Sequence, residues 1–326
     1  MRNINNNISA LFKLLNDVDF ISQEFICSSL KLSKTDLNTL ICKLREFNIS
    51  ILFKKKRGYR LLNKYELLNL EVVSKHLRHS EIDIDIFESL DSTNDYLKRD
   101  IKEGSFDLKV CLSEMQTKGR GRMNKKWHSP FGKNIYLSLG FSYDESINKL
   151  SGLSLITSLA VCKAVESICN LENQLHLKWP NDILFHSKKL CGLLTEVYTH
   201  NGMPFVIIGI GLNVNMVNLD LKGFINQPWC SLQSITSKFQ DRNLICASII
   251  DYLIDYLELY FRTDLNTFLD EWKKRDIFNG TEISVSSKGS KVVGLYRGIN
   301  KSGCLMLEDS DKTIHALYSG DTTIIK

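Results

Sequence analysis

The stretch SEMQTKGRGRMNKKWHSPFG, residues 113–132, carries two glycines and two arginines in strict alternation. Glycine lets a backbone approach a ligand closely, and each guanidinium presents a planar fork of donors that fits phosphate or carboxylate oxygens. The loop matches neither a Walker A sequence nor the G-x-G-x-x-G motif of dinucleotide-binding helices. Taken alone, GRGR more often marks a solvated basic turn or a patch that touches nucleic acid.

A second stretch, LKWPNDILFHSKKLCG at residues 177–192, places a lysine on either side of Pro180-Asn181-Asp182. Pro180 lacks a backbone donor, so Lys178 and the residue after it are expected to end a strand. Read alone, Lys188-Lys189 predicts a turn between two strands that faces water. Read together, the two basic stretches predict one site that holds two anions.

The chain also carries several short motifs in a fixed order. They are Asp91-Ser92-Thr93-Asn94, Gln116, Gly119-Arg120-Gly121-Arg122 with Trp127, Ser129-Pro130-Phe131-Gly132, Lys178-Trp179-Pro180-Asn181-Asp182, Lys189-Leu190-x-Gly192 and Gly209-x-Gly211-Leu212-Asn213. This order resembles the biotin protein ligases over residues 84 to 326. The N-terminal segment fits the bifunctional bacterial form, which is both a ligase and a repressor of biotin synthesis.

The predicted fold is α+β and has four parts. They are a winged helix-turn-helix DNA-binding domain (1–62), a linker helix (63–83), a biotin/ATP-binding catalytic domain (84–276) and a small SH3-like β-barrel (277–326). Apolar runs predict strands at 110–112, 134–141 and 205–214 and helices at 153–169 and 244–260, hence a central mixed sheet. The resemblance implies that this domain is similar to class II aminoacyl-tRNA synthetases.

Helical spacing of apolar residues predicts three helices in the N-terminal domain. Ser22 can cap the second, with Phe25, Ile26 and Leu30 facing inward, and Ser33 with Asp36 predicts a capping box for the third. A strand, a basic turn and a second strand follow, which is the outline of a winged helix.

Positive charge is concentrated in this N-terminal domain. Residues 1–62 contain eleven Lys and Arg against five Asp and Glu, although the whole chain has a net charge of only +5. This favours DNA as the partner over a module used only for packing or dimer contacts. The candidate base-contacting residues are Lys34, Thr35, Asn38 and Thr39, and the candidate phosphate-contacting residues are Lys54, Lys55, Lys56 and Arg57.

The resemblance implies that the enzyme joins biotin to ATP as biotinyl-5′-adenylate and passes biotin to a lysine of the biotin carboxyl carrier protein of acetyl-CoA carboxylase. Arg120, Arg122 and Lys189 are the candidate catalytic residues, since an anion attacking an α-phosphate needs positioning and charge neutralisation. The implied biotin site is Ser92, Thr93, Asn94, Gln116, Arg120, Gly121, Arg122 and Lys189. The implied ATP and adenylate site is Arg122, Asn213 and Trp229, with Asn213 also near Mg²⁺.

Some of these residues have simpler explanations. Ser92 and Thr93 stand where a helix begins and are equally suited to cap it. Trp229 is as readily a core residue as a platform for adenine. Asp182 can orient or deprotonate the incoming lysine, or can simply cap a turn.

The sequence also departs from the family at two places. Met123-Asn124-Lys125-Lys126 stands where a further glycine and a basic residue are usual. The C-terminal arginine of the bifunctional form has no counterpart, and Lys326 is the only nearby cation. We assign no ATP role to this end of the chain.

Composition excludes several other classes of protein. The nine cysteines form no C-x-x-C pair and the seven histidines are isolated, so neither a disulfide framework nor a zinc site is expected. The apolar runs at 205–214 and 245–257 are too short or too interrupted to span a bilayer, and the N-terminus has no apolar signal core. We expect a cytoplasmic enzyme with no membrane partner.

Three functions remain open at this point. The chain is a ligase and repressor, a ligase whose winged helix binds no operator, or a ligand-sensing regulator without catalysis. An enzyme that uses lipoate is also possible, because lipoate shares a valeryl tail and adenylate chemistry with biotin. In the first case, ordering of the glycine-rich loop around the adenylate would create a surface for a homodimer that binds operator DNA.

Overall fold

The computed structural model describes residues 2–16, 19–104, 106–143, 147–217, 227–287, 290–318 and 320–324, so Lys326 lies outside the described residues. The chain begins with helices α1 (Arg2–Leu15), α2 (Gln23–Leu30) and α3 (Lys34–Glu46), followed by an antiparallel hairpin of β1 (Ile51–Lys54) and β2 (Gly58–Leu61). This is the order of helices and strands predicted for residues 1–62. A shared apolar core, with Ile8, Ile26 and Leu37 fully buried, holds the three helices together.

The predicted helix caps of this unit are confirmed. Ser22 accepts a hydrogen bond from the amide of Phe25 at 3.1 Å, and Ser33 and Asp36 form a reciprocal capping box. The inward orientation predicted for Phe25 is wrong, because 54% of this residue is exposed. Ile26, one position further round the helix, already provides the core contact, and a two-turn helix buries only a narrow stripe.

The linker differs from the prediction of a helix over 63–83. Only α4 (Leu70–His76) is helical, while residues 63–69 run extended over the catalytic domain. Arg242 donates to the carbonyl of Glu66 at 2.5 Å, and Glu114 accepts from the amide of Leu68 at 2.5 Å. Side chains of the catalytic domain therefore satisfy the main-chain groups that a helix would have paired internally.

A seven-stranded mixed sheet forms the centre of the chain, as predicted. Its strands are β3 (Asp83–Phe87), β4 (Leu108–Ser113), β5 (Ile135–Ser142), β6 (His176–Lys178), β7 (Asp182–Phe185), β8 (Lys188–His200) and β9 (Met203–Leu212). Their order is β3-β4-β5-β9-β8-β7-β6, and β3 runs parallel to β4 while every other neighbouring pair is antiparallel. Strand β6 ends at Lys178, two residues before Pro180, as the missing donor predicts.

Helices pack against this sheet. They are α5 (Thr93–Glu103), α6 (Leu153–Cys169), α7 (Leu232–Thr236), α8 (Arg242–Arg262) and α9 (Leu269–Arg275). Residues Lys149–Cys169 are long and apolar enough to cross a membrane, but 72% of their most apolar window is buried in the fold. We read this segment as a core helix, because a helix that is apolar all round needs a surrounding core.

The chain ends in a five-stranded antiparallel sheet. Its strands are β10 (Glu282–Ser287), β11 (Ser290–Ile299), β12 (Leu305–Glu308), β13 (Ile314–Leu317) and β14 (Asp321–Ile324). Their order is β13-β12-β11-β10-β14, and among the described residues no pairing joins β13 to β14. Closure into an SH3-like barrel therefore stays a prediction. Two hydrogen bonds of 3.0 Å, from Trp179 to the carbonyl of Gly303 and from Thr322 to that of Trp179, anchor this sheet to the catalytic domain.

Candidate active site

A cavity of about 560 Å³ opens between the catalytic domain and the C-terminal sheet. It is lined by every residue predicted to bind biotin, ATP or a metal, namely Ser92, Thr93, Asn94, Gln116, Arg120, Gly121, Arg122, Lys189, Asn213 and Trp229. These residues come from six separate segments of the chain. The fold therefore brings together in one place what the sequence presents as scattered motifs.

Arg120 is held by two carboxylates in this cavity. Its Nη2 lies 2.6 Å from Asp95, at the first turn of α5, and its Nη1 lies 3.3 Å from Glu196, on β8. Burial opposes the charge on the guanidinium, but Glu196 and Asp95 outweigh it and raise the pKa of Arg120. The Nε of Arg120 is buried and has no hydrogen-bond partner. One donor of this side chain thus remains for a ligand oxygen.

Lys189 stands at the start of β8 and forms an ion pair with Asp182 at 2.8 Å. Its ammonium group also lies 5.4 Å from the centre of the Trp127 ring. Only 16% of each side chain of the ion pair is exposed. The turn expected at Lys188-Lys189 falls two residues earlier, at His186-Ser187, so that prediction is wrong in position. Lys188 is exposed at the start of β8, whereas Lys189 lines the cavity.

Arg122 differs from the other two predicted cations, because its hydrogen bonds go to neutral oxygens. Its Nη1 donates to the side chain of Asn181 at 3.2 Å and to the carbonyl of Gly320 at 3.4 Å. Burial lowers the pKa of this guanidinium relative to its ordinary value. Burial outweighs the nearby negative charges of Asp321 and Asp182, so an anionic ligand would stabilise this cation further.

Neutral polar side chains form a network at the other end of the cavity. Ser138, buried on β5, donates to the side-chain oxygen of Asn94 at 2.6 Å, and its hydroxyl lies 2.7 Å from that of Thr93. Gln116 accepts from the Thr93 amide at 3.0 Å, and Asn94 donates to Glu196 at 2.7 Å. These contacts fix the donors and acceptors that an amide-like ligand would meet.

Ser92 has a simpler structural role in this network. Its side chain accepts a hydrogen bond from the amide of Asp95 at 3.4 Å, so Ser92 is the N-cap of α5. This is the helix-capping role that the sequence also allowed for it. A cap and a ligand contact are compatible, because Ser92 also lines the cavity.

Three glycines on β8 and β9 leave room for side chains to lie flat on the sheet. A Cβ at Gly209 would stand 2.3 Å from the Asn94 amide oxygen, and one at Gly211 would stand 2.5 Å from the Trp127 indole. The indole N–H of Trp127 is buried and has no hydrogen-bond partner. Gly209 and Gly211 thus leave the space above the sheet that Asn94 and Trp127 occupy. Both side chains line the cavity.

Asn213 and Trp229 both line the cavity, and hydrogen bonds to neighbouring residues hold Asn213 in place. The Asn213 amide donates to the carbonyl of Cys230 at 3.0 Å, and its oxygen lies 3.5 Å from the amide of Asn134. Trp229 is half-buried at the cavity wall, so it is not the core tryptophan of the simpler reading.

Asn213 was the residue implied to lie near Mg²⁺, and the cavity around it offers oxygen ligands, which suit a hard cation. Carboxylate oxygens of Asp182 and Asp321 and the amide of Asn213 line the cavity. Within the described ranges, no group of three or more His, Cys, Asp or Glu could hold a metal by itself. The site therefore fits a cation that keeps several waters and is carried mainly by ligand phosphates.

Sequence reasoning missed three polar side chains of this region: Asp95, Ser138 and Glu196. It named Trp127 and Lys178 within the motifs but assigned neither a role of its own. Strand alternation from Gly192 places Glu196 on the same face of β8 and could have identified it. Lys178 lines the cavity too, and burial lowers its pKa. The loop that departs from the family pattern reaches the C-terminal sheet, where Lys125 forms an ion pair with Asp321. The left-handed turn falls at Met123, with φ 53°, and not at the asparagine beside it.

The predicted DNA-binding residues lie apart from the cavity, in the N-terminal unit. Lys34, Thr35, Asn38 and Thr39 are all exposed on α3, and Lys54, Lys55, Lys56 and Arg57 are all exposed at the hairpin turn. The capping partner Asp36 is exposed on the same helix. These side chains are therefore accessible to a partner in the folded chain.

Comparison with known proteins gives a consistent result. A profile of the Biotin/lipoate A/B protein ligase family matches residues 86–213. The bifunctional ligase/repressor BirA of Salmonella typhimurium is 32% identical over 319 residues, which cover 96% of each protein. The biotin-(acetyl-CoA-carboxylase) ligase of Mycobacterium tuberculosis is 30% identical, over 74% of this chain and 89% of that one.

Solved structures share the fold. The biotin protein ligase of Aquifex aeolicus in complex with biotin and ATP aligns with a TM-score of 0.62 at 26% identity. The alignment covers 75% of this chain and 99% of that protein.

Proposed function

The chain is a biotin ligase of the biotin/lipoate A/B protein ligase family, and from this premise we propose that it makes biotinyl-5′-adenylate and transfers biotin to a carrier protein. The observation that carries the proposal is the convergence of Arg120, Arg122 and Lys189 on one cavity that also holds a neutral polar network. The cations suit phosphate and carboxylate groups. The network suits the ureido group of biotin.

In the first step, a carboxylate oxygen of biotin attacks the α-phosphorus of ATP, the bond to the β-phosphate breaks, and pyrophosphate leaves. Both reactants are anions, so neutralisation of charge in a partly dry site is the main requirement. Arg122 hydrogen-bonds only neutral oxygens, so its charge is available to the phosphates. Lys189 then serves the biotin carboxylate and the adenylate ester.

Mg²⁺ would neutralise phosphate charge when bound. Asp182, Asp321 and Asn213 are the cavity oxygens that could hold it or its waters. We place Trp229 against adenine, because its half-buried indole forms part of the cavity wall.

In the second step, a neutral lysine amine of the carrier protein attacks the acyl carbon, the bond to AMP breaks, and the amine proton must leave. Asp182 is the carboxylate of this cavity that we assign to orient or accept that proton. It already lies 2.8 Å from the ammonium group of Lys189. We propose the biotin carboxyl carrier protein of acetyl-CoA carboxylase as the acceptor, in line with the name of the Mycobacterium tuberculosis relative.

We also propose that residues 1–62 form a winged helix that binds operator DNA as part of a homodimer. Support comes from the exposure of the four predicted base-contacting residues on α3 and of the basic hairpin turn. The name of the Salmonella typhimurium relative couples a ligase to a repressor, and that relative matches 96% of this chain.

Pyrophosphate exchange into ATP tests the enzyme proposal, with biotin and lipoate compared as the carboxylic acid. We expect exchange with biotin only and a loss of about 10²- to 10³-fold in Lys189→Ala. Lys188→Ala is the matched control, because its exposed side chain precedes Lys189 and does not line the cavity. Exchange with neither acid would overturn the adenylation step.

A DNA-mobility assay tests the repressor proposal, with a biotin-biosynthesis promoter fragment and with or without biotin and ATP. We expect a shift that strengthens when both ligands are present. If the protein shifts no fragment with or without the ligands, the enzyme proposal still stands but the repressor proposal fails.

A further inference from the structure

Three cations of the N-terminal unit surround the ring of Phe20. The Nζ of Lys54 lies 5.1 Å from the ring centre, and the Cζ atoms of Arg57 and Arg60 lie 5.0 and 6.0 Å from it. All three distances are within the range of a cation–π contact. Arg60 was not among the predicted DNA-binding residues. The cluster therefore brings a further cation to the basic hairpin.

Backbone pairing places Phe20 beside the hairpin. Ile21 and Tyr59 exchange two main-chain hydrogen bonds, of 2.9 and 2.8 Å, so the segment before α2 runs antiparallel to β2. This pairing sets Phe20 opposite Arg60. It also needs a glycine at position 58, where φ is +95° and a Cβ would stand 1.9 Å from the Ile21 carbonyl oxygen.

The charges of this cluster do not balance. Among the described residues one carboxylate, Asp19, lies 2.9 Å from Arg57, and it is 80% exposed. Three positive charges against one negative charge leave an excess of two on one face of the hairpin. Because like charges repel and a half-exposed ring offers only weak attraction, an anion placed among them would relieve the repulsion.

We propose that Lys54, Arg57 and Arg60, arranged on Phe20, form a seat for one backbone phosphate of duplex DNA. Phe20 is a positioning residue here, since it orders three flexible cations and makes no contact with bases itself. The inference rests on the proposed DNA-binding function. It changes the prediction from sequence, because Lys55 and Lys56 share the exposed turn but make no cation–π contact with this ring.

Duplex DNA is favoured over an anionic membrane by where the cluster lies. It is built on the hairpin that directly follows α3, whose exposed face carries Lys34, Asn38 and two threonines. In winged-helix proteins the helix reads the groove while the hairpin meets the phosphates beside it. A single seat of this kind adds affinity without sequence preference.

The test measures binding of the full-length protein to a mixed-sequence duplex as salt is varied. Loss of one phosphate contact should lower the slope of log K against log salt by about 0.9, which is about eightfold in affinity at 0.1 M salt. We expect this change in Arg60→Gln and in Phe20→Leu, which keeps apolar bulk but removes the aromatic face. Phe20→Tyr should restore the wild-type slope.

Lys13→Gln is the control for loss of one charge, because Lys13 is exposed on α1 outside the cluster. Thermal unfolding checks that each variant is folded. Wild-type slopes in both Arg60→Gln and Phe20→Leu, in a protein that binds the duplex, would overturn this inference alone. A wild-type protein that binds no duplex at any salt would overturn DNA binding and this inference together.

A second arm uses vesicles of phosphatidylglycerol and phosphatidylcholine. We expect no binding that depends on Arg60. Vesicle binding that is lost in Arg60→Gln, with duplex binding unchanged, would assign the cluster to a lipid headgroup and contradict the proposal.

Discussion

The ammonium group of Lys189 lies 2.8 Å from a carboxylate oxygen of Asp182, and the β7–β8 hairpin holds the two side chains together. Lys189 is a predicted catalytic cation and Asp182 is the candidate base of the transfer step, so the two form one ion pair. Binding of the biotin carboxylate to Lys189 would compete with this pair. Asp182 would then be released towards the incoming amine.

We expect Asp182→Asn to slow transfer to the carrier lysine by about 10²-fold while pyrophosphate exchange changes much less. The physical reason is that the amide can still accept a hydrogen bond from Lys189 but cannot take a proton. Single-turnover transfer from preformed adenylate measures the second step separately. Asp270→Asn, at an exposed position of α9, is the control. Equal slowing of both steps would show that Asp182 contributes only its negative charge and does not accept the proton.

Arg122→Met should reduce pyrophosphate exchange by about 10²- to 10³-fold, because it removes the partly buried guanidinium that we propose to contact the phosphates. Biotin affinity should change less than the Michaelis constant for ATP. Lys118→Gln controls for loss of charge in the same loop, since Lys118 is exposed and does not line the cavity. Loss of biotin binding without an effect on ATP would reverse this assignment.

Gly209→Ala should weaken biotin binding by about tenfold or more, a loss of roughly 1–3 kcal/mol from misplaced polar partners. The added Cβ would stand 2.3 Å from the Asn94 amide oxygen and would displace it from Ser138 and Glu196. Isothermal titration with biotin measures the effect. Gly104→Ala, with no atom within 4 Å of its Cβ, is the matched control. Unchanged affinity would remove Asn94 from the biotin site.

Lys133 should make folding stability depend on pH. Burial and the nearby charge of Arg242 lower the pKa of Lys133 to about 8, and its ammonium group lies 3.7 Å from the Tyr65 ring centre. In the unfolded chain the pKa returns to about 10.4, so between these values the unfolded state binds more protons and stability rises with pH. Lys133→Met should flatten this rise, which thermal unfolding from pH 7 to 10 would measure. Parallel curves for the two proteins would contradict the prediction.

The ion pair between Glu114 and Arg242 should matter for stability more than any exposed pair. The two groups are 2.7 Å apart with side chains 4% and 1% exposed, and both bond the linker backbone. Glu114→Gln leaves a buried cation unpaired, and we expect a loss of about 3 kcal/mol in the free energy of unfolding. Glu71→Gln, exposed on α4, should cost less than about 0.5 kcal/mol. A double substitution with Arg242→Met should cost less than the sum of the two single changes.

The sequence alone predicted a central mixed sheet with several of its strands, two of its long covering helices and, through the family resemblance, ten residues of the cavity. Strands and helices follow from apolar spacing over a few residues, and caps such as Ser33 with Asp36 follow from contacts three residues apart. The resemblance carried by the ordered motifs then implied ten cavity residues, of which Arg120, Arg122 and Lys189 are also supported by their suitability for anions. All of this information is local in the chain or carried by the family resemblance.

Only the tertiary structure decided which charges are neutralised and which are free. Arg120 meets Glu196 from 76 positions away, and the linker gains its partners from residues between 46 and 176 positions further on. Ion pairs and buried hydrogen bonds depend on distance through space, which no spacing along the chain reports. The same reason explains why the linker is extended where leucines suggested a helix, and why Phe20, unremarked in sequence, stands at the centre of three cations.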